Sequence, residues 1–251
     1  MLQRCNASRI CRVRRDSFLC GRGTSAHSGY RVGECGVEGS PQAEGFREIL
    51  EAALWRVFQY NRDTLVVQGG WGKISGAAST QYVVDRWNPP NVVNLGTCGG
   101  IAGRIERNQI LAVTKTIVYD IVEQMGDADE AVRFYSTDID FAWVGSRMPS
   151  PVIAAPLLSA DQDLIAGDIA ALVAKYGARA VDWESGAIAW TAHRNGKRVL
   201  ILRGVSDMVS PEKGGEAYGS TGEFEQGTVR VMQELFDALP MWLERLNGRR
   251  Q

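Results

Sequence analysis

The chain has 251 residues, 45% of them hydrophobic and 23% charged, and its 28 lysines and arginines nearly balance 29 aspartates and glutamates. This composition is typical of a globular protein with a sizeable core, arranged as one large domain or two small ones. The net charge of −1 argues against nucleic acid or a membrane surface as the main partner. No apolar run approaches the roughly 18–20 residues that a membrane-spanning helix needs.

The first 40 residues differ in composition from the rest of the chain. They carry seven arginines against three acidic residues, and they hold Cys5, Cys11, Cys20 and Cys35. The cysteine spacing lacks the close pairs of zinc sites, and an odd total without a hydrophobic signal segment indicates a reducing, cytoplasmic location. We expect residues 1–40 to be irregular, as an organelle-targeting leader, a disordered tail or an upstream extension outside the native coding sequence.

A regular domain is expected over residues 41–251, where helical patterns alternate with short apolar runs. The predicted helices cover 42–60, 75–87, 162–177, 184–196 and 222–246, and the predicted strands cover 64–70, 91–100, 109–120, 150–160, 179–183 and 198–207. Alternation of this kind predicts an α/β protein, a three-layer α/β/α sandwich with a mixed, mostly parallel central sheet.

Three of the predicted strands end in small or polar residues, and ligands of such folds bind outside the carboxyl ends of the strands. These residues are Gly96 and Thr97 after the second strand, Glu184 and Ser185 after the fifth, and Arg203, Ser206 and Asp207 at the end of the last. Each residue alone also fits a structural role. Glu184 could interact with a helix dipole, Asp207 could cap a turn, and Arg203 could simply be its ion-pair partner.

The histidine content limits the possible chemistry. The chain has two histidines, His27 in the Arg-rich segment and His193 within a predicted helix. A Ser-His-Asp or Cys-His hydrolase is therefore disfavoured. The glycine-rich stretch 96–103 has neither the lysine spacing of a phosphate-binding loop nor a clear dinucleotide-binding pattern, so a tight turn is the simpler interpretation.

Three motifs, "VVNLGTCGGI", "AVDWESGAIA" and "LRGVSDMV", occur in this order over residues 92–209. Together they resemble the nucleoside phosphorylase/nucleosidase superfamily, and "QGGWGKISGAAST" adds a pattern of its nucleosidase branch. The similarity covers about residues 63–245. Asn94 stands where phosphorylases of the superfamily place a phosphate-binding arginine. The closest resemblance is therefore to 5'-methylthioadenosine/S-adenosylhomocysteine nucleosidases, with a purine or uridine phosphorylase as the alternative.

The resemblance implies cleavage of an N-ribosidic bond without a metal or organic cofactor, on a small-molecule nucleoside. It implies that Asp207 protonates the leaving purine, that Ser206 supports this carboxyl, and that Glu184 binds the ribose hydroxyls. Thr97 and Arg203 would help to place the attacking water. The remaining substrate-binding positions implied by the resemblance are Gly99, Asp161, Asp163 and Trp183.

Some positions depart from the family pattern. The glutamate that activates water has no clear counterpart, and Glu44 and Glu48 are candidates by position only, with Glu44 taken as the tentative base. Trp183 replaces a methionine that lies against the ribose and the 5' group, and Asp163 replaces an aromatic residue that stacks on the base. These changes predict a different 5' group or a looser base site. They also leave open a catalytically impaired relative that binds or stores nucleosides.

The nucleosidase branch consists of homodimers, so the resemblance implies that this chain associates with a second copy. Residues 133–143, "RFYSTDIDFAW", are rich in aromatic side chains and are a candidate for the contact surface. The same segment could equally be an ordinary loop followed by a short strand.

Overall fold

The computed structural model describes residues 16–20, 47–52, 55–217 and 221–248. The strands are β1 Asp16–Cys20, β2 Arg47–Ala52, β3 Trp55–Asn61, β4 Thr64–Gln68, β5 Asn91–Ile101, β6 Ile110–Val118, β7 Thr137–Asp138, β8 Ile153–Ser159, β9 Ala180–Asp182, β10 Arg198–Ser210 and β11 Gly214–Gly215. The helices are α1 Gly72–Trp87, α2 Ala128–Tyr135, α3 Ile169–Tyr176, α4 Ser185–Arg194 and α5 Thr221–Leu246.

The described strands form one mixed sheet in the order β11-β10-β6-β8-β9-β5-β1-β4-β3-β2, with β7 paired to β6. The long ladders between β5 and β10 and between β6 and β8 are parallel. Because β5 also pairs with β10, strands β10, β6, β8, β9 and β5 form a closed ring of neighbours. This closure gathers the ends of β5, β9 and β10 in one place.

The two faces of the sheet are covered by different helices. Alternate residues of the central strands point to opposite faces, as expected for extended chains. Val92 and Ile201 pack in a cluster that includes residues of α1 and α4, whereas Val93 and Leu200 pack against residues of α5. The predicted three-layer α/β/α architecture is confirmed. None of the described helices is both long enough and apolar enough to cross a bilayer.

The helix predicted over residues 42–60 is wrong, because β2 and β3 occupy 47–52 and 55–61. Strand β3 pairs antiparallel with β4, so that Val57 lies opposite Val67 and Phe58 opposite Val66. A β-branched and an aromatic residue fit such a half-buried pleated surface. The backbone amide of Asp63 donates to Asn61 Oδ1 at 2.9 Å and stabilises the tight turn between the two strands.

One strand lies in the segment that was expected to be irregular. β1 pairs in parallel with both β4 and β5 and is therefore an interior strand of the sheet. The expectation that residues 1–40 contain no strand is corrected for Asp16–Cys20. Residues 1–15 and 21–46 lie outside the described residues, and the domain division at residue 40 stays a prediction.

Two other boundaries differ from the predicted ones. The glycines at 96, 99 and 100 do not form a turn, because β5 continues through them to Ile101. A Cβ atom at Gly100 would lie 2.6 Å from Val205 Cγ1, so glycine permits the close packing around β10 at this point. The helix predicted from residue 162 begins at Ile169, after a short 3-10 turn over Ala166–Asp168.

Candidate active site

The ends of β5, β9 and β10 bring the predicted site residues together. In the parallel ladder between β5 and β10, Thr97 lies opposite Gly204 and Gly99 lies opposite Asp207. Gly99 also lies opposite Val181 of β9, and Glu184 follows that strand. The convergence that the sequence predicted is therefore present at the carboxyl ends of β9 and β10.

Asp207 is a buried carboxyl group with one hydroxyl partner. Its side chain is only 6% exposed, and Ser206 Oγ donates to Asp207 Oδ1 at 2.7 Å. Burial raises the pKa of Asp207, while the bond from Ser206 and the charge of Arg107 act in the opposite direction. A Cβ atom at Gly99 would lie 3.3 Å from Val209 Cγ2 and 3.6 Å from Asp207 Oδ2, so this glycine permits close packing of β5 beside the carboxyl.

Glu184 is the second buried carboxyl group and precedes helix α4. It is 2% exposed, and its Oε1 accepts a hydrogen bond from the Gly72 amide at 3.0 Å. Burial raises the pKa of Glu184 to about 8, against the opposing charge of Arg203. The carboxyl therefore holds its proton more tightly than an exposed glutamate would.

Arg203 lies fully buried behind Glu184 and is 0% exposed. Its Nη2 lies 2.7 Å from Asp182 Oδ2 and 3.8 Å from Glu184 Oε2. Its Nε donates to Ser185 Oγ, and Nη2 donates to Asn94 Oδ1, both at 2.8 Å. Asp182 is thus the main ion-pair partner of the guanidinium, and Glu184 is a more distant one. Together with the two hydrogen bonds, these contacts compensate the buried charge of Arg203.

The first turn of α1 connects Glu184 to the loop after β8. The Lys73 amide donates to Asp161 Oδ1 at 2.7 Å, next to the Gly72 amide that binds Glu184. Lys73 Nζ pairs with Asp120, whose Oδ2 also accepts from the Asp161 amide at 2.9 Å. Helix α1 has no side-chain cap of its own, so carboxylates from other elements satisfy its first amides.

The loop that contains Asp161 and Asp163 is electrostatically close to both buried carboxyls. The charge of Asp161 raises the pKa of Glu184, and the charge of Asp163 raises that of Asp207. Asp163 itself is exposed to solvent. The hydrogen bond from the Lys73 amide to Asp161 joins this loop to the turn that binds Glu184.

Two indole rings lie on the segments that meet at Glu184. Trp183 stacks on Trp71 with ring centroids 5.0 Å apart, and Trp71 remains 44% exposed. Trp71 directly precedes Gly72, the amide donor to Glu184. The structure thus pairs Trp183 with an aromatic residue that sequence reasoning had not singled out.

Sequence reasoning missed several other residues that support the site. Asp182 pairs with the buried Arg203, and Lys73 pairs with Asp120 at the start of α1. Arg107 and Glu216 contact the backbone around Asp207. The sequence could have indicated a role for Asp182, because a carboxylate in a buried strand needs a charged or hydrogen-bonding partner. Thr97 is buried at the end of the β5 motif, and Glu44 lies outside the described residues.

Among the residues that the structure describes, no three His, Cys, Asp or Glu side chains are grouped as they would be around a metal ion. The candidate site consists instead of two buried carboxyls, one supported by a hydroxyl and the other by an amide and a guanidinium. Each of these carboxyls can donate or accept a proton and can bind hydroxyl groups.

Known proteins resemble this chain in sequence and in fold. A 5'-methylthioadenosine/S-adenosylhomocysteine nucleosidase of Halalkalibacterium halodurans is 26% identical over 193 residues, covering 71% of this chain and 80% of the relative. The enzyme of the same name from Thermotoga maritima is 28% identical over 175 residues, covering 66% and 78%.

Among solved structures, the s-adenosylhomocysteine nucleosidase of Streptococcus pyogenes in complex with 5-methylthiotubericidin has a TM-score of 0.68 at 16% identity, covering 93% of this chain and 98% of that chain. A 5'-methylthioadenosine/S-adenosylhomocysteine nucleosidase from Helicobacter pylori has a TM-score of 0.65, also at 16% identity, with 89% and 98% covered. These structures share the fold. Residues 44–239 match the family described as the phosphorylase superfamily, and the chain therefore belongs to the phosphorylase superfamily.

Proposed function

We propose that this protein hydrolyses the N-glycosidic bond of a purine nucleoside, such as 5'-methylthioadenosine or S-adenosylhomocysteine, and releases the free base. The observation that carries the proposal is the buried Asp207 carboxyl, which accepts a hydrogen bond from Ser206 Oγ and lies opposite Gly99 in the ladder between β5 and β10. The names of the curated relatives support the choice of substrate. The cytoplasmic location expected from the cysteine pattern accords with a small-molecule substrate.

Asp207 is proposed as the general acid. Cleavage of an N-ribosidic bond develops positive charge on the sugar and negative charge on the departing purine, as in glycoside hydrolysis. A proton delivered to the purine removes the negative charge. A carboxyl can deliver it near neutral pH only when its pKa is raised, and burial raises the pKa of Asp207. Ser206 would keep the carboxyl in one orientation.

Glu184 is proposed as the contact for the ribose hydroxyls. Its Oε1 is held by the Gly72 amide, so the carboxyl has a defined position before a ligand arrives. Because burial raises the pKa of Glu184 to about 8, the carboxylate that would favour the developing sugar cation forms as the pH rises towards that value. Arg203, which is buried and bonded to Asp182, Ser185 and Asn94, would act by fixing and polarising Glu184. Trp183, Gly99, Asp161 and Asp163 remain proposed substrate neighbours.

The attacking water is proposed to bind near Thr97, with Glu44 as the tentative general base. Neither role has support beyond the resemblance, and both remain predictions. Replacing Glu44 by glutamine tests the second role, and Glu48→Gln tests the other positional candidate. Loss of turnover in the first variant alone would support the assignment.

A homodimer is proposed as the assembled form. Exposed apolar side chains lie on the two segments that the Lys73–Asp120 ion pair joins: Ile74 is 84%, Val122 78% and Met125 98% exposed. The aromatic side chains of the candidate surface at 133–143 do not all face solvent. Phe134 stays exposed beside Trp190, whereas Phe141 and Trp143 pack towards the α5 cluster. We therefore favour the segment around Val122 and Met125 as the contact.

The decisive experiment is incubation with methylthioadenosine, S-adenosylhomocysteine, adenosine, inosine and uridine, with and without phosphate, followed by chromatography of the free base. Release of adenine without phosphate supports hydrolysis. Release that requires phosphate would assign phosphorolysis instead. Tight nucleoside binding without base release at any pH would assign the impaired, nucleoside-binding alternative and overturn the proposal.

A further inference from the structure

Two charged side chains hold the backbone on either side of Asp207. Arg107, from the connection between β5 and β6, donates from Nη1 to the Ser206 carbonyl oxygen at 3.3 Å. Glu216, which follows β11, accepts from the Met208 amide at 3.0 Å. The Arg107 guanidinium also forms an ion pair with Glu216. The peptide groups before and after Asp207 are thus both bound to one ion pair.

We propose that Arg107 and Glu216 act together as a positioning pair that orients Asp207 and sets its proton affinity. This inference rests on the proposed function of Asp207 as the general acid. Neither residue lies in the motifs that carry the family resemblance. Their role follows from the contacts to Ser206 and Met208 described above.

The charges of the pair act on Asp207 in opposite directions. Burial is the main cause of the raised pKa of Asp207, and Glu216 and Asp163 raise it further. The hydrogen bond from Ser206 and the charge of Arg107 lower it. With both members present, the positive and negative contributions of the pair oppose each other. Removal of one member removes one of these two opposing contributions to the pKa of Asp207.

The expected shifts have opposite signs. Arg107→Met leaves the Glu216 carboxylate, which favours the protonated form of Asp207 and should raise its pKa. Glu216→Gln leaves the Arg107 guanidinium, which favours the carboxylate and should lower the pKa. The pair is partly exposed, with side chains 34% and 44% accessible, so each shift should be about half a pH unit and should shrink at high salt.

The test compares the pH dependence of kcat in wild type, Arg107→Met, Glu216→Gln and the double variant. Because the acid must be protonated, kcat falls as pH rises through its pKa. The alkaline limb should move to higher pH in Arg107→Met and to lower pH in Glu216→Gln, and the double variant should return towards wild type. Arg104→Met is the control, because this exposed arginine of the same connection should leave the limb in place.

A titration of the Asp207 carboxyl by NMR, assigned with Asp207→Asn, measures the same shifts without turnover. Circular dichroism confirms that each variant is folded. Opposite shifts in the two single variants support the positioning pair. Unchanged pKa values, or shifts in the same direction, would overturn it. Failure of wild type to release purine contradicts the proposed function alone, since the NMR titration still decides on the pair.

Discussion

At the scale of single residues, the candidate site distinguishes two buried carboxyls by their partners. Asp207 has a neutral hydroxyl partner in Ser206. Glu184 accepts a hydrogen bond from the Gly72 amide, and it lies near the Arg203 guanidinium, which is closer to Asp182 than to Glu184. Different surroundings allow two acids in one site to take different roles. We propose that Asp207 donates the proton and that Glu184 binds the hydroxyls.

Replacing Asp207 by asparagine should lower kcat for purine release by about 10²–10⁴-fold, because an amide has no proton to transfer. The isosteric change should leave the fold intact, as judged by circular dichroism and thermal unfolding. Asp237→Asn, an exposed change on α5, is the matched control and should keep the wild-type rate. Wild-type turnover in Asp207→Asn would remove this residue from the mechanism.

Glu184→Gln should change the pH dependence of stability as well as activity. The pKa of Glu184 is raised from 4.5 to about 8 in the folded protein, so the proton binds the folded state more tightly than the unfolded one. Its stabilising contribution is complete below about pH 4.5 and is lost as pH rises through about 8. Glutamine stays neutral and avoids this loss.

The measurement is the free energy of unfolding in denaturant for both proteins across this pH range. The advantage of Glu184→Gln over wild type should increase from about pH 5 to about pH 8, while its purine release falls because the ribose contact is weakened. A difference in unfolding free energy that does not vary with pH would show that Glu184 has an ordinary pKa.

At the scale of elements, helix α5 lies directly against the strand that carries the acid. A Cβ atom at Gly227 would lie 2.4 Å from the Ser206 carbonyl oxygen, so backbone meets backbone at this point. Glycine in a helix normally costs stability relative to alanine. Here its small size lets α5 pack beside Ser206 and Asp207.

Gly227→Ala should therefore displace the helix or the strand. We expect a loss of about 1–3 kcal/mol in unfolding free energy, as for overpacked cores, together with a lower kcat for purine release. Gly167→Ala is the control, since no atom lies within 4 Å of its added Cβ. Full activity and stability in Gly227→Ala would show that the contact adjusts without cost.

The apolar and glycine patterns of the sequence were sufficient to predict several elements correctly. The strands at β4, β5 and β10 and the helix α4 follow from apolar runs and glycine ends. The predicted helix at 42–60 failed because the same apolar residues suit a strand once β4 offers a pairing edge. Sequence spacing gives no signal for the contact between Arg107 and Ser206, which are 99 positions apart.

At the scale of the whole molecule, the site depends on closure of the sheet. The ring of β10, β6, β8, β9 and β5 places three strand ends together, and the first turn of α1 binds both Glu184 and Asp161. Residues from Gly72 to Asp207 therefore contribute to one site. A substitution in any of these segments should shift the position of the Glu184 or Asp207 carboxyl, because these side chains are connected to the segments by hydrogen bonds and packing.

The proposed homodimer gives the last prediction. Val122→Asp combined with Met125→Asp should weaken association, because twofold symmetry places each new charge in the interface twice. Sedimentation velocity measures the effect, with wild type expected as a dimer and the variant shifted towards monomer. Val229→Asp, a partly exposed apolar position on α5, is the control. If the double variant sediments as a dimer, the contact lies elsewhere. A monomeric wild type would contradict the dimer itself. Since the segment following Asp120 is joined to Lys73 beside the Glu184 turn, loss of the dimer should also lower kcat/KM.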